Sequence, residues 1–279
     1  MRTIDCAEIR AAVSRLCIEA NLHLPEDVCR AIDRMAAEEE RPLCQTMLRQ
    51  MQENRRVAME SGLALCQDTG SAVIFVELGQ DVHISGGSLN EAIHTGVADG
   101  YQRGYLRRSI VTALGRVNTG DNTPAIIHLD LVPGEQLRIT IAPKGGGAEN
   151  MSAAAMLKPA VGIKGVADFV VDTVRKAGAN PCPPVVVGVG VGGNFETAPL
   201  LAKKALLRSI GSNNPDPQAA ELEQTLLERI NQLGIGIMGF GGKHTALAVF
   251  VETMPCHFAS LPVAVNLNCH VARHQTALL

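Results

Sequence analysis

The sequence predicts a mixed α/β (α+β) chain, a helical N-terminal segment followed by mixed sheets with helices. Three observations carry that expectation. Residues 5–20 and 25–60 repeat apolar side chains at helical spacing. Short β-branched runs such as SAVIFVEL and VVVGVGV have strand length. Helical and strand-like stretches then alternate to the end with no internal repeat. At 279 residues the chain suits one compact domain over residues 1–279, of a length that also admits two lobes.

Taken in order, Pro25 opens the second helical stretch and Pro42 interrupts it. Residues 70–78 read as a strand, and residues 88–104 as a helix capped by Ser88 or Asn90. Residues 125–132 and 136–141 alternate, and Pro133-Gly134 between them suits a type II turn, which predicts a hairpin. Residues 152–157 and 163–177 read as helices, 185–191 as a buried strand and 197–210 as a helix. GSNNPDPQ reads as a loop, residues 221–233 as a helix and 245–251 as a strand.

Composition excludes several functions. Twenty-five basic against twenty-eight acidic side chains give a net charge of −3, unlike the clustered positive charge of a nucleic-acid binder. Aromatic residues are 3% with no tryptophan, so base-stacking platforms are scarce. The start, MRTIDCAEIRAAV, lacks the apolar core of a signal peptide, and no run reaches the roughly 18 apolar residues of a membrane span. A cytoplasmic, reducing location is expected, with the eight cysteines as thiols or ligands rather than disulfides. Cys6, Cys17, Cys29 and Cys44 fall in the predicted helices and read as packing.

Glycine motifs come next. Gly188, Gly190 and Gly193 satisfy G-x-G-x-x-G, but no second strand ending in an acid follows about 20 residues later. Gly241-Gly242-Lys243-His244-Thr245 lacks the adjacent lysine and hydroxyl of a P-loop. Both sets read better as places of close backbone approach. In APKGGGAENMS, Lys144 and three glycines precede a predicted helix, a pattern that suits an anion-binding nest better than its alternative, a flexible connection. Arg107 and Arg108 nearby offer guanidinium groups for a carboxylate, or simply a solvated face.

The remaining cysteines leave several chemistries open. Zinc would draw on Cys256, His257, Cys269, His270 and His274, of which only His270 and His274 have knuckle spacing. Cys66 or Cys182 as a nucleophile lacks a histidine beside it in sequence. Cys66, Cys182 and Cys269, in three separate loops, would also suit a cubane cluster with one open iron, a Lewis acid fitted to hydration and dehydration. Spacing alone does not choose among these.

The flanking residues do. LCQDTG, YLRRSIV, APKGGGAENMS, NPCPPVVVGVGVGGNFETAPLLAKKALLR, GFGGKHTALAV and PCHFASLPVAVNLNCH follow one another in an order that resembles the class I, iron–sulfur fumarate hydratases and the related L-tartrate dehydratase. The likeness runs over essentially the whole chain and is to the α subunit of the two-subunit form. It implies a hydro-lyase acting on fumarate and malate, with L-tartrate as the alternative substrate. A non-catalytic iron–sulfur or zinc accessory protein is the reading from another class. The resemblance also implies a [4Fe-4S] cluster with three cysteine ligands, at Cys66, Cys182 and Cys269. It places Gln67, Asp68, Arg107, Lys144, Gly147 and Asn150 on the substrate side, with Asp68 and His257 catalytic, and leaves Cys256 as packing. Arg108 stands where an aromatic residue is common. In single-chain relatives a second domain supplies the base and further cations. A β subunit is therefore expected as partner, in an α₂β₂ assembly, with a small dicarboxylate as substrate.

Overall fold

The computed structural model describes residues 2–279. In chain order the elements are β1 (Arg2–Asp5), α1 (Cys6–Leu22), α2 (Glu26–Glu38), α3 (Pro42–Ser61), β2 (Ser71–Gly79), β3 (Val82–Ser85) and α4 (Leu89–Arg103). They continue as β4 (Ile126–Val132), β5 (Leu137–Lys144), α5 (Gly146–Glu149), β6 (Ala153–Leu157), α6 (Gly162–Ala177) and β7 (Val185–Gly192). The last are α7 (Thr197–Ala205), α8 (Pro217–Asn231), β8 (Ala246–Met254), β9 (Leu261–Asn268) and β10 (Gln275–Leu278). The mixed α/β class holds, and the chain divides into two compact units. None of the described helices is long and apolar enough to cross a membrane.

The first unit comprises residues 1–24, 54–146 and 273–279. Its sheet has the order β10-β5-β2-β4, with β2 parallel to β4 and antiparallel to β5. Ile74 and Val76 of β2 and Ile139 and Ile141 of β5 point into a core shared with Ile9, Val13 and Leu16 of α1 and Ile93 and Val97 of α4. Asp5 caps α1 by accepting the Ala7 N–H at 2.8 Å. Ser88, not Asn90, caps α4 through Glu91 N–H. A Cβ on Gly96 would lie 2.7 Å from the Val13 Cβ, so this glycine lets α4 seat directly on α1.

The predicted hairpin does not form. Its two strands lie on either side of β2, and Pro133-Gly134 carries the chain across the end of that strand. Gly134 takes the positive φ (99°) such a turn requires. The turn chemistry was legible. The long β2, buried throughout Ala72–Val76, nevertheless takes both neighbours, and a strand buried in this way sits in the interior of a sheet.

The second unit comprises residues 25–53 and 147–272, with sheet order β6-β9-β7-β8. Val170 and Val174 of α6 and Leu226 and Ile230 of α8 cover one face, against Val187, Val189, Val249 and Val265. Ala198 and Ala202 of α7 pack with Ala264 of β9. A Cβ on Gly190 would overlap the Ala198 carbonyl oxygen, and one on Gly188 would overlap that of Ala202. The G-x-G pattern thus exists for close helix–sheet approach, as the sequence reading preferred.

Three further expectations are corrected here. The helix expected over 152–157 is instead β6 (Ala153–Leu157), because antiparallel pairing with β9 (Ala153↔Val265 to Leu157↔Leu261) overrides the helical preference of Ala and Met. The predicted loop at 211–218 already contains the start of α8, with Asp216 accepting the Gln218 N–H at 2.9 Å and Pro217 in the first turn. The helix expected over 197–210 ends at Ala205. Strands β1, β3, β9 and β10 were not anticipated; β9, between β6 and β7, begins within the predicted ligand-bearing loop.

Candidate active site

In the first unit the loop Cys66-Gln67-Asp68-Thr69-Gly70 leads directly into β2. The Asp68 N–H reaches the Cys66 sulfur at 3.4 Å, and the Cys66 thiol lies 3.5 Å from Gln67 Oε1. Asp68 Oδ1 accepts the Gly70 N–H (3.0 Å) and Oδ2 accepts the Gly146 N–H (2.8 Å). Arg273, only 4% exposed, donates through Nη2 to the Asp68 carbonyl at 2.8 Å. The Asp68 carboxylate is therefore clamped on both oxygens. One backbone donor of the expected anion nest is already taken by the chain's own carboxylate, and Lys144 is buried at 4% exposure.

Two residues that sequence reasoning passed over hold this loop. The Tyr101 hydroxyl, 1% exposed, lies 2.8 Å from the Thr69 carbonyl and 3.0 Å from that of Gly70. Burial pushes its pKa far above the ordinary phenol value. Asn122, fully buried, donates Nδ2 to the Gly70 carbonyl (3.1 Å) and accepts the Ser109 N–H (2.7 Å) and the Ile110 N–H (3.2 Å) through Oδ1. Thr69 Oγ1 adds a bond to the Arg107 carbonyl at 3.0 Å. Asn122 and Thr69 together tie the LRRS stretch to the QDTG loop. The side chains of Arg107 and Arg108 are both exposed. Nothing in the sequence around Tyr101 separates it from an ordinary core aromatic.

In the second unit Cys182 and Cys269 come together. The His270 backbone N–H and ring Nδ1 reach the Cys182 carbonyl at 3.4 and 3.0 Å, which seats the Cys269-His270 peptide against Cys182. Register agrees: Val186 at the start of β7 faces Asn268 at the end of β9. Cys182 holds φ 54°, a strained backbone conformation for a residue with a side chain. The turn after α5 belongs to the same end of the sheet, since Ser152 Oγ accepts the Leu267 N–H at 3.2 Å and Glu149 Oε2 accepts from Asn266 Nδ2 at 2.9 Å. Gly147 and Asn150 are exposed there.

His257 is not brought to this place. It lies in the β8–β9 connection, beyond Met254, which pairs with Gly192 at the far end of β7. The length of β7 separates it from Cys182 and Cys269 within the unit, about 20 Å at the rise of a strand. Its ring lies tilted against that of Phe258 (centroids 4.8 Å apart) beside an apolar cavity of about 420 Å³ that Cys256 also lines. Cys256 is exposed, not packed, with its thiol 3.3 Å from the Ser260 carbonyl. The same separation divides the zinc donors considered from sequence, placing Cys256 and His257 at one end of the sheet and Cys269 and His270 at the other.

None of the eight cysteines is in a disulfide. Cys6, Cys17 and Cys44 are buried in helices and Cys29 is half-buried, as packing residues should be. Among the described residues no three His, Cys, Asp or Glu side chains stand close enough together to hold a metal ion. The donors nonetheless suit an iron–sulfur cluster in kind. Cys66, Cys182 and Cys269 are half-buried loop thiols, Cys66 accepts a backbone N–H as a thiolate ligand does, and Cys182 is held in a strained turn.

The chain that carries these groups belongs to the fumarate hydratase family, whose model, described as Fumarate hydratase (Fumerase), matches residues 10–278. That family is one of hydro-lyases. Relatives narrow the likeness. The chain is 43% identical over 272 residues to a Methanocaldococcus jannaschii protein named "Putative L(+)-tartrate dehydratase subunit alpha", covering 95% of each chain. It is 34% identical over 260 residues to the L(+)-tartrate dehydratase subunit alpha of Escherichia coli O157:H7, covering 92% of this chain and 86% of that one.

Proposed function

We propose that this chain is the α subunit of an iron–sulfur hydro-lyase that reversibly hydrates fumarate to (S)-malate in the cytoplasm. The observation that carries the reading is the Cys66–Asp68 loop, in which a half-buried thiol and a doubly clamped carboxylate are fixed by Tyr101, Asn122 and Arg273. Cys66, Cys182 and Cys269 would hold a [4Fe-4S] cluster. When bound, such a cluster with three thiolate ligands supplies an open iron that polarises a hydroxyl group.

The chain's own residues do the rest. Arg107, exposed on a loop tied to Asp68 through Thr69, offers a guanidinium to a substrate carboxylate. Gln67, Gly147 and Asn150 supply amide donors, and buried Lys144 adds positive potential. Asp68, unable to rotate, orients a proton-transferring partner. The base for the carbon-bound proton and further cations come from a β subunit, in an α₂β₂ assembly. His257, at the other end of its sheet, takes no part in the chemistry of its own chain. L-tartrate dehydration is the second reading, favoured by the names of the relatives. It differs by one substrate hydroxyl.

Anaerobic reconstitution tests this. The chain should hold about four irons and four sulfides. Cys66→Ser, Cys182→Ser or Cys269→Ser should each remove the brown absorbance and the activity of the complex. Full retention of either by a variant removes that residue from the ligand set, and zinc without sulfide in the wild-type chain sinks the proposal. Turnover should appear only with the β subunit, and comparing fumarate with L-tartrate in that complex decides the substrate.

A further inference from the structure

β4 is an edge strand. It pairs with β2 on one side, and among the described residues no strand covers the other. Natural edges are usually blunted by lysine, proline or a bulge. β4 has none of these: IIHLDLV contains neither residue, and its register against β2 runs unbroken from Val73↔Ile126 to Gly79↔Val132. Ile126, Leu129 and Leu131 are nevertheless 43%, 55% and 71% exposed. With Asp130 as its one acidic residue and three exposed apolar side chains, an unbulged edge of this kind is open to a further strand.

We propose that the cover is β4 of a second copy of this chain, paired antiparallel about a twofold axis at Leu129, so that two four-stranded sheets become one. The sequence of the strand is self-complementary about that residue. Leu129 faces Leu129 of the second copy, His128 faces Asp130, Ile127 faces Leu131 and Ile126 faces Val132. Opposite residues in an antiparallel pair have Cβ atoms about 4.5–5.5 Å apart, close enough for the His128–Asp130 pairs to attract. Centring the pair on Asp130 would set two carboxylates opposite each other, which is destabilising. Centring it on His128 would set ring against ring and leave Asp130 facing Ile126. Only the Leu129 register matches apolar with apolar and base with acid throughout. The His128 ring is already positioned by stacking on Phe75, with centroids 5.1 Å apart. An isologous contact of this kind closes at two chains and leaves no edge for further growth. It names the α–α contact of the proposed assembly and rests on that reading only for the presence of two copies.

The test uses the full chain co-expressed with its partner subunit. Leu129→Cys under mild oxidation should give a reductant-sensitive covalent α–α dimer well above the wild-type background. Leu131→Cys should not, since four residues of strand would hold its two copies about 14 Å apart, beyond the roughly 7 Å Cα limit for a disulfide. Asp130→Lys, an exposed position, should weaken α–α association at least tenfold by sedimentation with circular dichroism unchanged. Failure of Leu129→Cys to cross-link, equal cross-linking through Leu131→Cys, or unchanged sedimentation of Asp130→Lys would each overturn the contact. Iron and sulfide content, measured on the same samples, reports separately on the hydro-lyase reading.

Discussion

Gly190→Ala is expected to loosen α7 from the second sheet without touching any thiol. The added methyl would overlap the Ala198 carbonyl oxygen and sit 2.7 Å from the Ala202 nitrogen and 2.8 Å from the Leu201 Cβ. Carbon contacts settle near 3.5 Å, so the helix must retreat on the order of 1 Å. Two of these obstacles are backbone atoms and cannot rotate away. Ala198 and Ala202, 2% and 0% exposed, would lose their fit against Ala264. Overpacking of this kind costs about 1–3 kcal/mol. With a urea slope of about 2–3 kcal/mol/M, the unfolding midpoint should fall by roughly 1 M. The chain has no tryptophan, and Tyr101 and Tyr105 both belong to the first unit, so far-UV circular dichroism is the proper probe. Gly115→Ala, at an exposed turn whose nearest atom is a hydroxyl at 3.2 Å, is the control and should shift little. An unchanged midpoint for Gly190→Ala would refute the close-approach argument. Gain or loss of dinucleotide affinity would revive the fingerprint reading.

The remaining predictions concern the clamps. Asp68→Asn keeps an acceptor for only one of the two N–H donors and turns an amide donor toward the other; hydrogen bonds to a charged group are worth about 1.5–3 kcal/mol. It should lower activity of the complex strongly while cluster content persists, and full activity would remove Asp68 from the mechanism. Tyr101→Phe strands the Thr69 carbonyl and should cost about 1–2 kcal/mol, read as faster hydrogen exchange at residues 66–70; unchanged protection would refute its positioning role. Burial alone would raise the Glu39 pKa, but the N–H groups of Arg41, Lys243 and Glu40, together with His244, hold it below the ordinary value. Its contribution is therefore fully present above the unfolded carboxylate pKa of about 4.3 and is lost as pH falls through the lower folded value. Glu39→Gln should destabilise by about 2 kcal/mol at neutral pH, and the gap to wild type should close on acidification. A gap independent of pH would contradict this.

Much of the fold was legible in local pattern. Helical spacing marked α1, α4 and α6, a cap residue marked the start of α4, and β-branched runs marked β2 and β7, because these signals depend on residues a few positions apart. The turn at Pro133-Gly134 was visible too, but not that the two strands it joins pair with β2 between them and not with each other, since pairing depends on a third strand remote in sequence. Residues 153–157 show the same limit: Ala and Met favour a helix until β9 offers a ladder. For the site, the sequence by itself determined the residue types and their loops: Cys66 with Asp68, Arg107, the glycine turn, and the two later cysteines. Tertiary structure decided which of them lie together within each unit. It closed the Asp68 carboxylate on the Gly70 and Gly146 N–H groups, set Tyr101 and Asn122 beneath that loop, and joined Cys182 to Cys269 through His270. It also sent His257 to the opposite end of the strand, although only eleven residues of chain separate it from Cys269. The physical reason is the extended strand: β9 rises about 3.3 Å per residue, so nearness in sequence becomes distance in space, while hydrogen bonds between distant segments bring remote residues into contact.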